Sequence, residues 1–182
     1  MIIHKIILGL INLTFGSLVL LSYYKGVNRL KIADKDPNLL WGGVPDTLQP
    51  IIVAFMFLGA VGYFFFTYNF IFNVNPDKVL FLGKFKYWTL HILYLLIFIP
   101  SMFWIYQTIN YMESGTQFDW IITVVILFTV AIASIFLFLF TVDLKAESGS
   151  MYLASVAGAA LFTFHTLFLD GLIWTTFFHK TS

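Results

Sequence analysis

The feature of this sequence that most limits its fold is a series of five long apolar stretches. They cover residues 6–24, 47–72, 87–106, 120–141 and 151–178. Each reaches the roughly 20 residues that a helix needs to cross a bilayer. The pattern predicts an all-α integral membrane protein, built as a compact bundle of five transmembrane helices in a single domain over residues 1–182.

The composition agrees with this fold and excludes several kinds of site. The chain is 60% hydrophobic and only 10% charged, whereas soluble domains are about 25% charged. It has no cysteine, which excludes disulfides, thiolate metal sites and cysteine nucleophiles. Its net charge of +1 gives no reason to expect nucleic acid as a partner. The expected surroundings are therefore the lipid bilayer, with a homo-oligomer or a membrane complex as further partner classes.

The odd number of spans places the N and C termini on opposite sides of the membrane. Lysine and arginine concentrate in cytoplasmic loops, but the ten in this chain divide equally between the two sides. The short loop with Lys78, Lys84 and Lys86 favours an inside N terminus slightly more than the cations from Lys25 to Lys35 favour the opposite orientation. Tryptophans and tyrosines form two belts at the expected interfaces, which supports the same topology.

The only long connection is the predicted interfacial loop at residues 25–46. It mixes apolar residues such as Leu30 and Trp41 with alternating charges, and Gly42, Gly43 and Pro45 turn it into the second span. Two interpretations stay open. The loop is either a lid over one end of the bundle or a solvated linker resting on the headgroups.

The fifth stretch contains the most unusual polar residues, His165 and Asp170. An ionisable group at such depth is costly and is by default a functional-site hypothesis. On an α-helix, Thr166, Asp170 and Trp174 share one face. His165 lies about 140° away from Asp170 at ~100° per residue, so the two need not touch, although a tilted helix or a bridging water would still let both reach a common cavity. The alternatives are that Asp170 is hydrated near the interface and that both residues only join helices together.

Other residues complete the predicted polar interior. Asn12 and Gln107 are expected to line it with His165, Thr166 and Asp170, and Trp174 is included as a candidate ligand- or proton-binding residue. Small residues near Gly158 predict tight helix packing at one end of the fifth span, with a looser pocket near Asp170.

These features favour a protein that binds or transports a small molecule, a lipid or a proton. The alternative is a non-catalytic structural or assembly subunit of a membrane complex, whose polar groups only fix helix packing. An enzyme is less favoured, because the sequence has no metal-ligand spacing, phosphate loop or nucleophile elbow. No cofactor is identified. His91 and His165 differ in depth by about 10 Å on helix-rise arithmetic, which argues against their sharing one haem.

Overall fold

The computed structural model describes residues 2–144 and 149–178. It is all-helical, with 84% helix and, in the described residues, no β-strand. Five helices are long and apolar enough to cross a membrane, as the sequence predicts. They are α1 (Ile2–Ile32), α2 (Gln49–Tyr68, continued by a π-helical turn at Asn69–Asn73), α3 (Thr89–Ser114), α4 (Gln117–Asp143) and α5 (Ser150–Phe178).

Local sequence explains how the chain turns between α3 and α4. Gly115 ends α3 with a φ of 63°, a left-handed conformation that glycine adopts without strain. Thr116 then caps α4 by accepting a hydrogen bond on its hydroxyl from the backbone N–H of Asp119, at 3.3 Å. The two helices therefore form a close antiparallel pair.

The helices pack in a chain of neighbours. α1 lies mainly on α3, α3 on α4, α4 on α5, and α5 on α2. The closest approach joins α2 to α5 at two glycines, because a Cβ on Gly62 would lie only 2.5 Å from the carbonyl oxygen of Gly158. The tight packing predicted for the small residues near Gly158 is thus present.

The first loop is shorter than the sequence suggested. Residues 25–32 continue α1, so this part of the predicted loop 25–46 is helical. Leu30 is buried against Ile105 and Ile109 of α3, and Arg29 forms an ion pair of 2.6 Å with Glu113. These contacts stabilise two further turns of α1 although the stretch carries several charges.

The rest of the loop covers one end of the bundle. A short 3₁₀ helix at Pro37–Trp41 leads to Val44, which packs with Trp174 and Phe178 at the end of α5. The indole N–H of Trp174 donates to the carbonyl oxygen of Leu40 at 2.9 Å. These contacts hold the loop against the end of α5.

Candidate functional site

The centre of the site is a wide turn in α5. Residues His165–Trp174 form a π-helix between the α-helical parts Ser150–Phe164 and Thr175–Phe178. Backbone hydrogen bonds of a π-helix join residues five apart, so such residues lie about one turn from each other. As a result His165 Nε2 lies 3.3 Å from Asp170 Oδ2. The contact that α-helical spacing left open is therefore present, because the π-helical spacing brings residues five apart close together.

A cavity of about 460 Å³ lies beside this pair. All five long helices contribute to its wall, and most of the wall is apolar. The polar or hydroxyl-bearing side chains that line it are Asn12, Ser17, Tyr23, Tyr63, Ser101, Trp104, His165, Thr166 and Asp170. About a third of the Asp170 side chain and 13% of the His165 side chain are accessible. The pair is therefore reachable from the cavity.

The most exposed part of the cavity wall lies on α1 and α2. Several lining residues on these two helices are strongly exposed, with Leu20 at 75%, Leu13 at 70% and Phe64 at 69%. By contrast, the lining residues Phe98 of α3 and Leu127 of α4 are buried. Since α1 packs mainly on α3 and α2 mainly on α5, this exposure indicates a sideways mouth between α1 and α2.

Four of the six predicted site residues line this cavity, namely Asn12, His165, Thr166 and Asp170. Asn12 accepts a hydrogen bond from the hydroxyl of Tyr63, which joins α1 to α2. Thr166 shares a hydrogen bond of 2.7 Å with Ser134 of α4. These two residues thus have partners on other helices as well as a place in the wall.

The other two predicted residues lie elsewhere. Gln107 donates to the carboxylate of Asp119 at 2.9 Å, where α3 meets α4. Trp174 holds the first loop through Leu40, as described above. The structure does not bring either of them to the cavity.

Aromatic residues that were not singled out as site residues complete the polar end of the cavity. The rings of Tyr23 and Trp104 stack with centroids 5.6 Å apart, and Tyr23 is within electrostatic range of Asp170. Trp104 Nε1 and His165 Nδ1 are buried without a hydrogen-bond partner among the described residues. Both aromatic residues belong to the belt recognised in the sequence. Anchoring at the membrane interface already explained both residues, so nothing else in the sequence marked them as parts of a site.

The arrangement can accept and donate hydrogen bonds and can hold a proton between imidazole and carboxylate. Among the described residues, no group of three or more His, Cys, Asp or Glu side chains is placed to hold a metal ion. Comparison of the chain with protein-family models, with curated proteins and with solved structures finds no match.

Proposed function

We propose that this protein spans a membrane five times and binds a small amphiphilic molecule that enters its cavity from the lipid. The observation that carries the proposal is the sideways mouth between α1 and α2, which leads to the polar pair His165 and Asp170. The helices would cross the bilayer with the N and C termini on opposite sides, and with the N terminus inside.

The physics of the bilayer supports this assignment. An apolar molecule dissolved in lipid reaches a lateral mouth without passing through water, and its apolar body finds an apolar wall there. Its polar group gains hydrogen-bond partners that hydrocarbon does not offer. The volume of about 460 Å³ falls in the ~300–1,000 Å³ range of ordinary ligand pockets.

Transport would add one movement to this binding step. α1 and α2 flank the mouth and have their main partners elsewhere, so a shift of one against the other would change access to the cavity. His165 and Asp170 supply a group that can gain or lose a proton as the molecule binds or leaves.

The alternative proposal, a structural or assembly subunit, also has support in α5. The Thr163 hydroxyl donates to the carbonyl oxygen of Ser134 at 2.9 Å, and Thr166 and Trp174 have partners outside α5. Such bonds fix helix packing. They do not require a cavity, however, and they leave His165 Nδ1 and Trp104 Nε1 without described partners. Ligand binding therefore accounts for more of the site.

A matched pair of glycine variants tests the binding proposal. Gly16 lines the cavity and a Cβ there would make only ordinary contact, 3.8 Å from Phe98, so Gly16→Leu fills the cavity. Gly9 lies on the same helix and a Cβ there meets nothing within 4 Å. Gly9→Leu thus controls for the added side chain and for helix propensity.

The probe is a fatty alcohol that carries a photoreactive diazirine and is added to the protein in nanodiscs. Its chain of ~16 carbons spans about half of the hydrocarbon thickness of a bilayer. Labelled residues are mapped by mass spectrometry. We expect labelling of the buried wall residue Phe98 in the wild type and in Gly9→Leu, and loss of it in Gly16→Leu. Labelling of the outward-facing Phe57 serves as the internal reference. If Phe98 is not labelled in the wild type, or is labelled equally in Gly16→Leu, the binding proposal is wrong.

A further inference from the structure

The charges around the cavity select the kind of molecule that it can hold. Among the described residues that line it, Asp170 is the sole carboxylate and there is no lysine or arginine. The remaining ionisable side chains in the wall are His165, Tyr23 and Tyr63. When Asp170 is ionised, the cavity therefore holds a negative charge without a permanent positive charge to balance it.

The wall beside Asp170 is rich in aromatic rings. The aromatic rings that line the cavity belong to Tyr23, Tyr63, Phe64, Phe98, Trp104 and Phe162. The face of such a ring attracts a cation, and the attraction grows when water is excluded. The stacked pair Tyr23 and Trp104 lines the same cavity as Asp170. A cation in this cavity would meet a carboxylate and aromatic rings together.

From this combination we infer that the cavity binds lipophilic amines, molecules with one protonated nitrogen and an apolar body. The inference rests on the proposed binding function and names the chemical class of its ligand. The ammonium group pairs with Asp170, and the apolar body lies on the aromatic and aliphatic wall towards the mouth. An anionic headgroup is rejected, because it would face Asp170 with no lysine or arginine to offset the repulsion.

His165 has a specific part in this arrangement. Its Nε2 lies 3.3 Å from Asp170 Oδ2, so a hydrogen on Nε2 places a partial positive charge beside the carboxylate. The other carboxylate oxygen, Oδ1, is left for the amine.

The same geometry gives binding a definite pH dependence. The titratable groups that face the cavity are Tyr23 on α1, Tyr63 on α2, and His165 and Asp170 on α5; no titratable residue of α3 or α4 lines it. Acidification neutralises Asp170 and adds a positive charge at His165. Both changes weaken the binding of a cation, so amine affinity falls as pH falls.

The test compares two probes of nearly equal shape, 4-phenylbutylamine and 4-phenylbutan-1-ol. Both are tritiated, and binding is measured on the protein in nanodiscs after subtraction of empty nanodiscs. In the wild type we expect the amine to bind at least about tenfold more tightly than the alcohol, as for a hydrogen bond to a charged group. Gly16→Leu should weaken both probes.

Substitutions at Asp170 test whether its carboxylate causes the preference for the amine over the alcohol. Asp170→Asn should reduce the affinity for the amine to that for the alcohol, whereas Asp170→Glu should retain the advantage of the amine. Asp143→Asn is the matched control, because Asp143 lies outside this cavity and bonds the backbone N–H of Leu82. Alcohol binding also shows that each variant is folded.

A quaternary probe, 4-phenylbutyltrimethylammonium, separates the protein's titration from that of the ligand. Its charge does not change with pH, so weaker binding at low pH reports on the cavity groups alone. Equal affinity of the wild type for amine and alcohol, or an unchanged amine preference in Asp170→Asn, would overturn the amine inference and leave cavity binding in place. Binding of neither probe above empty nanodiscs would overturn the amine inference, while the diazirine labelling of Phe98 decides separately on cavity binding.

Discussion

The contact between Gly62 and Gly158 leads to a quantitative prediction about the stability of the bundle. In Gly62→Ala the new Cβ would lie 2.5 Å from the backbone oxygen of Gly158, and backbone cannot move aside as a flexible side chain can. Ordinary contact begins at 3.4 Å, so α2 and α5 must separate by about 0.9 Å, the difference between these distances. Forced overpacking of this kind costs about 1–3 kcal/mol.

Gly59→Ala is the matched control on the same helix. Its Cβ would lie 3.5 Å from Phe162 Cα, which is ordinary contact. Both variants gain the ~1 kcal/mol by which alanine is favoured over glycine in a helix, so this gain cancels in the comparison. We therefore expect Gly62→Ala to be less stable than Gly59→Ala by about 1–3 kcal/mol.

The assay is reversible unfolding in mixed micelles by increasing the fraction of sodium dodecyl sulfate, followed by tryptophan fluorescence. Gly158→Ala should behave as Gly62→Ala does, because its Cβ would lie 2.6 Å from the backbone oxygen of Gly62. The loss of stability in the double variant should be smaller than the sum of the losses in the two single variants, since one separation of the helices relieves both clashes. Equal stability of Gly62→Ala and Gly59→Ala would refute the close approach of α2 and α5.

Two further predictions concern the topology and the loop. Tags at the N and C termini should be accessible to protease from opposite sides of sealed vesicles, because the proposed topology has five membrane crossings; accessibility from one side would contradict the five-span topology. Trp174→Phe removes the hydrogen bond to Leu40 and keeps a ring, so it should cost about 1 kcal/mol of stability. It should also speed amide hydrogen exchange in residues 39–44, and unchanged exchange there would count against the lid.

The five helices could be predicted from the sequence because length and hydropathy alone define them. Their ends could not, and α1 shows why. The first apolar stretch ends at residue 24. Burial of Leu30 and the ion pair of Arg29 with Glu113 nevertheless extend the helix to Ile32. Both effects depend on contacts with α3, and the composition of the stretch itself does not reveal these contacts.

Four of the residues that line the cavity could be named from the sequence, but its geometry could not. His165 and Asp170 were recognised because ionisable side chains are rare in such stretches. Their contact depends on the π-helix at His165–Trp174, and periodicity arguments assume α-helical spacing throughout. Tyr63 shows a further difficulty, because one more aromatic residue in an aromatic-rich span gives no sign that it will face a cavity.

The docking of the first loop onto α5 has a consequence for biosynthesis. Leu40 and Trp174 are separated by 134 positions in the chain, and α2, which follows the loop, has its main packing partner in α5. The ribosome delivers the N-terminal part first, so the loop leaves the translation machinery long before its binding partner exists. α2 must likewise wait until the final helix has been synthesised. Assembly of the cavity and docking of the loop on α5 are therefore among the last steps in the maturation of the protein.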